Sequence, residues 1–356
     1  CSQKYHMMKM DYISVIANFV ETVSTPIIVI DDRSYVISSN KAAVDLLGSD
    51  FKDRHFYVAI RQPLIINLVE NAFTAKRNEK ENFYKTVSGV ERTYEVTAEY
   101  SSELKIVSLS FYDTTDAVQA NQMRRDFVAN VSHELKSPLT SILGFIETLS
   151  GVIKSNPLKA NEFLRVMERE SLRMSSLIDD LLGLSRVEAS EKQLPTEQVN
   201  LSEIMREVLE ILTPTAAKRN ISIKYVQDAS DPLIMGDYSQ IVQVFTNLLQ
   251  NAIKYGGDGN KIKVTMNSIE YHKVLLKNGY KVSFEDTGIG IEEHHLARLT
   301  ERFYRVDDHR SRNEGGTGLG LSIVKHIMAR HNGRLLIESD PGSGSVFSVI
   351  FPDRIN

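Results

Sequence analysis

A histidine and a glutamate stand side by side at His133 and Glu134, in a segment whose apolar residues recur every three or four positions. This spacing predicts an amphipathic helix, and both side chains fall outside its apolar stripe, which runs from Val128 to Leu149. An imidazole held outward beside a carboxylate can act as a nucleophile with a neighbouring base. Taken by itself, however, the segment favours an ordinary solvated histidine.

A second set of polar side chains indicates binding of a phosphate compound. Asn247, Asn251, Lys254 and Tyr255 fall at i, i+4, i+7 and i+8, close to one face of a predicted helix. Amide oxygens on such a face can bind Mg²⁺, while a lysine can meet phosphate. An asparagine ridge alone is more often a cap or a solvated face, so this set needs support from elsewhere in the chain.

Two glycine-rich turns supply that support. Residues 286–291 directly follow a predicted strand, and residues 315–321 open a predicted helix. Glycines at a helix start let backbone N–H groups approach phosphate at the positive end of the helix. Each turn alone is weak support, but the three clusters in this order indicate a nucleotide site. The candidate residues of the two turns are Asp286, Gly288, Gly290, Gly316, Thr317, Gly318, Leu319 and Gly320.

Four regions of the chain must position these residues. Residues 1–115 mix strand-like runs with helical stretches, which predicts an α+β domain. Residues 116–188 show two long helical patterns joined by a short turn, which predicts an αα-hairpin. Residues 189–198 are polar, contain a proline and indicate a linker. Residues 199–356 alternate helices with strands and predict a second α+β domain.

The hairpin carries an apolar stripe on each helix, and a single hairpin supplies only half a core. Dimerisation into a four-helix bundle would cover both stripes, so we expect a homodimer. The alternative is a hairpin that packs on its own neighbouring domain.

Composition and missing motifs exclude several functional classes. The 356 residues are 42% hydrophobic and 25% charged, as in soluble globular proteins. A net charge of −4 without a long basic run gives no reason to expect direct contact with nucleic acid. The single cysteine, Cys1, excludes an intrachain disulfide, and no run of about 18 apolar residues exists to span a bilayer. The P-loop element and the His-Arg-Asp and Asp-Phe-Gly pairings of serine, threonine and tyrosine kinases are also missing.

The order of the motifs resembles that of bacterial sensor histidine kinases. His133 stands in a segment similar to the family's H box, and residues 247–255 are similar to its N box. Residues 286–291 and 315–321 resemble its two main glycine boxes. The resemblance covers about residues 117–356 and implies an ATP-binding domain preceded by a phospho-acceptor hairpin.

Two narrower resemblances accompany it. Residues 298–307 contain the sequence Leu-Thr-Glu-Arg, which is similar to phosphate-regulon sensors of the PhoR type. Many other relatives have phenylalanine at the position of Thr300. Upstream, residues 40–43 and 111–116 resemble parts of a PAS domain. The implied fold is therefore multidomain α+β. It comprises a PAS-like sensor domain, an antiparallel helical hairpin that forms a dimeric four-helix bundle, and an ATP-binding α/β sandwich of the Bergerat (GHKL) type.

The resemblance implies a protein-histidine kinase of a two-component system, with phosphate sensing as the process that the PhoR-like form suggests. The chain would use ATP to phosphorylate His133 and would pass the phosphoryl group to an aspartate in the receiver domain of a response regulator. Glu134 would act as the base, and Arg305 would meet the γ-phosphate. Ser137 stands where relatives use threonine or asparagine in a phosphatase reaction, and it retains a hydroxyl.

The resemblance also implies the nucleotide contacts. Asp286 would accept a hydrogen bond from the adenine amino group, and Asn251 would ligate Mg²⁺. Asn247 and Lys254 would meet the phosphates or the waters of the ion, and Tyr255 would pack by the ribose or the base. The remaining residues of the nucleotide site would be Gly288, Gly290, Gly316, Thr317, Gly318, Leu319 and Gly320.

The family further implies a cytoplasmic portion of a protein that is anchored in the inner membrane by a segment absent from this sequence. Two rivals remain open: an ATP-binding dimeric scaffold without enzymatic activity, and another GHKL ATPase of the gyrase, Hsp90 or MutL kind. Those ATPases carry the nucleotide pocket near the start of the chain, whereas here His133 precedes a pocket near its end.

Overall fold

The computed structural model describes eight stretches of the chain, which divides into two compact units, Cys1–Val128 and Ala129–Asn356. No helix within these stretches combines the length and the apolar character needed to cross a lipid bilayer. The described stretches are residues 15–48, 51–87, 89–152, 156–190, 193–230, 232–272, 277–306 and 316–353.

The first unit is an α+β fold built on one antiparallel sheet. Its elements are α1 (15–22), β1 (Ile27–Asp31), β2 (Val36–Ser39), α2 (Lys41–Leu47), α3 (Phe56–Ala59), α4 (Pro63–Ala75), β3 (Glu79–Val87), β4 (Val90–Ser101) and β5 (Ile106–Asp113). The strand order is β2-β1-β5-β4-β3. In β5, Val107, Leu109 and Phe111 occupy alternate positions and are all buried, so one face of this central strand forms the core. The side chain of Asn40 accepts a hydrogen bond from the N–H of Ala43 at 3.0 Å and caps α2.

Two long helices, α5 (Thr115–Val152) and α6 (Pro157–Ser190), form the hairpin. They meet at the rings of Phe145 and Phe163, whose centroids are 5.0 Å apart. Helix α5 is continuous through Pro138.

The sequence explains where α6 begins. The side-chain oxygen of Asn156 accepts a hydrogen bond from the N–H of Lys159 at 3.1 Å. Pro157 occupies the first helical position, where its missing N–H leaves no hydrogen bond unmade.

The rest of the second unit is an α/β sandwich. Its elements are β6 (Gln198–Asn200), α7 (Leu201–Ala217), β7 (Ser222–Gln227), β8 (Leu233–Met235), α8 (Tyr238–Tyr255), β9 (Lys261–His272), β10 (Lys277–Asp286), α9 (Glu293–Leu296), α10 (Gly320–Arg330), β11 (Arg334–Asp340) and β12 (Gly344–Pro352). The main sheet has the order β11-β12-β10-β9-β7, in which only β7 and β9 pair in parallel. Helices α7 and α10 both pack against α8. The ring of Phe245 on α8 contacts Phe284 and Phe351 of the sheet, at centroid distances of 5.9 and 6.2 Å.

This architecture confirms the predicted fold class of a mixed α+β chain with a helical hairpin and an α/β sandwich. The predicted alternation of helices and strands in residues 199–356 corresponds to the elements from β6 to β12. Strand β3 had no clear signal in the sequence, because only Phe83 of its nine residues is buried and the apolar alternation is lost. The PAS assignment of the first unit stays a prediction.

The predicted linker, residues 189–198, is partly structured, since α6 includes its first two residues and β6 its last. Residues 191–192 lie outside the described part of the chain. Helix α6 packs against α10, and Glu188 near its end accepts a hydrogen bond from Arg302. The hairpin from Ala129 onward therefore forms one compact unit with the sandwich. The domain bounds 1–115, 116–188 and 199–356 stay a prediction.

Candidate nucleotide and phospho-acceptor site

A cavity of about 240 Å³ opens between α8, the two glycine turns and helix α6. Tyr304 and Arg305 line it from the segment that precedes the second turn. Ser176 and Asp180 of α6 complete the wall, although no sequence motif marks them. The sequence-predicted nucleotide residues on the wall are Asn247, Asn251, Lys254, Tyr255, Asp286, Gly290, Gly316, Thr317, Gly318 and Gly320.

Helix α8 presents Asn247, Asn251 and Lys254 to the cavity because its opposite face is apolar. Phe245 on that opposite face is fully buried in the sandwich core. The side-chain nitrogen of Asn247 donates to the backbone carbonyl of Gly320 at 3.2 Å. This bond connects α8 to the second glycine turn and leaves the amide oxygen of Asn247 for a metal ion or its waters.

Asp286 ends strand β10 as a buried carboxylate beside the first glycine turn. The carboxylate accepts a hydrogen bond from the N–H of Gly288 at 2.9 Å, and burial raises the pKa of Asp286. Gly288 itself does not reach the cavity wall. Gly290 has a φ of +70°, and a Cβ there would stand 2.0 Å from the carbonyl oxygen of Asp340, so only glycine fits. The turn thus holds one carboxylate in a fixed position at the cavity.

The second glycine turn joins the cavity to α10. Gly318 has a φ of +72°, and a Cβ there would stand 2.8 Å from Cα of Phe303. Leu319 is fully buried behind the wall, and its N–H donates to the hydroxyl of Thr317 at 3.3 Å. Helix α10 begins at Gly320, a wall residue, which brings the positive end of the helix to the cavity.

The phospho-acceptor candidate His133 is exposed, and its ring makes no hydrogen bond with any residue that the structure describes. The carboxylate of Glu134 accepts hydrogen bonds from Arg173 at 2.8 Å and from Arg305 at 3.1 Å. The structure therefore pairs Glu134 with two guanidinium groups rather than with His133, as expected when cations compete with a neutral imidazole for a carboxylate. Ser137 is exposed one helical turn after His133.

Arg305 connects the cavity to Glu134. Its side chain is only 4% exposed, and its Nη2 donates to Glu134. Its Nε and Nη1 are buried, with no hydrogen-bond partner in the part of the chain that the structure describes. Buried guanidinium N–H groups without acceptors are costly. They are therefore ready to bind an anion that enters the cavity.

Asp180 was not predicted as a site residue, although its position in the sequence could have marked it. It lies three residues after Leu177 and four before Leu184, both buried, so it belongs to the buried face of α6, where a carboxylate is unusual. The neighbouring Asp179 is exposed. Among the other sequence-marked residues, Cys1, Asp307 and Gly315 lie outside the described residues.

Two family models match the parts of the chain that build this site. Residues 236–355 match the histidine kinase-, DNA gyrase B-, and HSP90-like ATPase family. Residues 123–190 match the His Kinase A (phospho-acceptor) domain. The first match spans α8 and both glycine turns, and the second includes His133.

Curated relatives of this chain are sensor proteins. The chain is 40% identical over 240 residues to the phosphate regulon sensor protein PhoR of Pseudomonas aeruginosa, which covers 67% of this chain and 52% of the relative. It is 34% identical over 241 residues to the sensor histidine kinase WalK of Bacillus subtilis, with coverages of 68% and 38%. It is 30% identical over 340 residues to the sensor protein SrrB of Staphylococcus aureus, with coverages of 91% and 53%. The chain spans about half the length of these relatives or less.

Among solved structures, the chain is similar to histidine kinase ThkA in its complex with response regulator protein TrrA. The TM-score is 0.52 at 23% identity, and the match covers 94% of this chain and 97% of that one. At this identity the likeness concerns the fold alone. Residues 123–190 therefore carry a phospho-acceptor domain and residues 236–355 an ATPase domain of these two families, and the chain is similar to sensor histidine kinases over both.

Proposed function

We propose that this chain is the cytoplasmic part of a two-component sensor kinase, which transfers the γ-phosphoryl group of ATP to His133 and then to an aspartate of a response regulator. One observation carries the proposal: Arg305 joins the nucleotide cavity to Glu134, the neighbour of the exposed His133. A fixed cation between a nucleotide and an acceptor is suited to stabilise a phosphoryl group in transfer. The two family matches support the same activity.

The proposed binding mode places adenine at Asp286 and the phosphates at α8 and the second glycine turn. The buried carboxylate of Asp286 accepts a hydrogen bond from the adenine amino group, which gives a selectivity that phosphate contacts alone cannot supply. Lys254 meets the phosphates. Tyr255, at the C-terminal end of α8 on the cavity wall, packs by the ribose or the base.

The wall residues also fit Mg²⁺. Asn251 would ligate the ion, and the free amide oxygen of Asn247 would hold one of its waters, because amide oxygens are hard donors that Mg²⁺ accepts. When bound, Mg²⁺ neutralises charge on the phosphates and orients them. Lys254, one turn along the same helix face, supports this arrangement with a fixed positive charge.

In the transfer step, Nε2 of His133 attacks the γ-phosphorus. An N–P bond forms while the bond from phosphorus to the oxygen of the departing ADP breaks. Glu134 accepts a hydrogen bond from Nδ1–H of His133, which leaves Nε2 unprotonated and available. Arg173 and Arg305 both donate to Oε2 of Glu134, so among the described residues Oε1 is left to accept from the imidazole. Transfer of Arg305 to the γ-phosphate would add positive charge at the nucleotide and leave Glu134 paired with Arg173.

The hairpin is proposed to form a homodimeric four-helix bundle. Eight large apolar side chains of the hairpin from Ala129 onward are exposed in a single chain, and their burial would stabilise association by about 25 cal/mol per Å². They are Leu139, Leu143, Ile146, Leu158, Leu164, Leu172, Ile178 and Leu182.

The pathway is proposed from the relatives. The name of PhoR favours phosphate sensing, and the ThkA–TrrA complex favours a receiver domain as phosphoryl acceptor. The first unit, with its α+β fold, is proposed to be a PAS-type sensor domain. The exposed hydroxyl of Ser137 supports a phosphatase reaction on the same regulator. Attachment of the whole protein to the inner membrane is part of the same proposal.

Labelling with γ-³²P-ATP and Mg²⁺ tests the proposed activity on the full chain. We expect protein-bound label that survives alkali and is lost in acid, as a phosphorus–nitrogen bond requires, and that passes to a receiver domain. ATP labelled at the α-phosphate should give none. A chain that binds ATP but remains unlabelled would be a scaffold, and acid-stable label would exclude phosphohistidine.

Glu134→Gln tests the proposed base. Glutamine keeps the size of the side chain but cannot attract the imidazole proton or pair with two guanidinium groups, so we expect labelling to slow by about 10²- to 10⁴-fold. Glu168→Gln, an exposed carboxylate on α6, is the matched control and should label at the normal rate. An unchanged rate in Glu134→Gln, with normal ATP affinity, would remove Glu134 from the mechanism.

A further inference from the structure

Asp180 is a carboxylate from the hairpin that forms part of the nucleotide cavity wall. With Ser176 it is contributed by α6, whereas α8, β10 and the glycine turns supply most of the remaining wall. Leu177 and Leu184, on the same side of α6, are buried. The carboxylate is therefore held at the cavity by helix packing around it.

The partner of Asp180 is the second glycine turn. The hydroxyl of Thr317 donates to Oδ2 of Asp180 at 2.6 Å. The same hydroxyl oxygen accepts the N–H of Leu319 at 3.3 Å, so both of its hydrogen-bonding roles are in use. The hydroxyl of Thr317 is therefore already bound to Asp180. It belongs to the glycine turn that is proposed to bind the phosphates.

Asp180 also interacts electrostatically with a proposed phosphate-binding residue. Burial raises the pKa of Asp180, while the hydrogen bond from Thr317 and the positive charge of Lys254 act in the opposite direction. A partly desolvated carboxylate beside this lysine repels a polyphosphate, because like charges interact strongly where water is excluded. Because the hydroxyl of Thr317 has one O–H donor, a phosphate oxygen can accept it only in place of Asp180, and the phosphate would also attract Lys254 away from the carboxylate.

We propose that Asp180 is an acidic residue of the ATP site, contributed by the phospho-acceptor hairpin, and that it competes with the phosphates of ATP for Thr317 and Lys254. The inference rests on the proposed function, in that ATP must occupy this cavity. Its consequence is a reciprocal coupling: packing of α6 on the sandwich weakens ATP binding, and ATP binding weakens that packing. Asp180 then sets the nucleotide affinity of a sensor kinase whose signal reaches the hairpin.

The test measures, by calorimetry, the affinity of the full chain for a Mg²⁺ complex of a non-hydrolysable ATP analogue. Asp180→Asn removes the charge but keeps an oxygen that can accept from Thr317. Asp179→Asn removes the same charge from the adjacent exposed position and is the matched control. We expect Asp180→Asn to bind the analogue about three- to tenfold more tightly, and Asp179→Asn to bind like the wild type. The gain should be smaller for AMP, which brings fewer charges to the phosphate end.

Three results overturn the inference. Equal affinity of the wild type and Asp180→Asn would make the contact with Thr317 incidental. Weaker binding by Asp180→Asn would make Asp180 a supporting residue for the metal or the nucleotide. An equal gain for AMP and the ATP analogue would separate the effect from the phosphates. A wild-type chain that binds no nucleotide at all would instead contradict the ATP site itself, so the two failures are distinguishable.

Discussion

His133→Gln should remove the protein-bound phosphoryl label that the wild-type chain forms with γ-labelled ATP, a loss of at least about 10³-fold in rate. Glutamine is polar and similar in length, so the exposed position on α5 should accept it without loss of structure. Its amide nitrogen, however, has no lone pair available for attack on phosphorus. Because the side chain lies outside the cavity wall, the variant should still bind ATP with normal affinity.

His294→Gln is the control for this prediction. His294 is also an exposed histidine, but it belongs to α9 and has no proposed part in the reaction. Its variant should label as the wild type does. Equal labelling of His133→Gln and the wild type would contradict the assignment of His133, whereas loss of label together with loss of ATP binding would indicate damage to the fold instead.

Local spacing made much of this site predictable. The positions of Asn247, Asn251 and Lys254 follow from the period of one helix, since the apolar residues between them fix which face is buried. Asp286 and its glycines are also a local feature, because a strand end and the turn after it are neighbours in sequence. Local features of this kind can be predicted without knowing which other helix or strand packs against them.

The contacts between elements could not be predicted in the same way. Glu134 and Arg305 are 171 residues apart, and Asp180 and Thr317 are 137 apart. A helical period tells which face of α6 is buried but not which surface covers it. The sequence therefore suggested that Glu134 interacts with His133, its neighbour in the chain. In the tertiary structure Glu134 binds two arginines instead. Asp180 shows the same limit, since its partner belongs to a turn beyond the whole of α8.

Asp286→Asn should weaken ATP binding by about 30-fold or more, or roughly 2 kcal/mol. The carboxylate already accepts the N–H of Gly288 with one oxygen and is proposed to accept the adenine amino group with the other. Asparagine has only one side-chain oxygen, so its NH₂ group must face one of these two donors. Whichever donor faces this NH₂ group loses its hydrogen bond to the carboxylate. Two buried N–H groups then remain without an acceptor. Glu285→Gln, the exposed neighbour on β10, should bind ATP normally.

A comparison of two nucleotides that differ in their purine base distinguishes a recognition role for Asp286 from a structural one. Inosine triphosphate carries the same phosphates as ATP but no amino group at the purine 6-position, so the wild type should bind it much less tightly. If Asp286 recognises that amino group, Asp286→Asn should lose most of its affinity for ATP and little for inosine triphosphate, and the preference should collapse. If Asp286 only holds the turn through Gly288, both nucleotides should weaken equally and the preference should persist. Calorimetric titration of both nucleotides into both chains therefore decides the role, because stabilisation of the turn is independent of the base, whereas hydrogen bonding to the amino group is not.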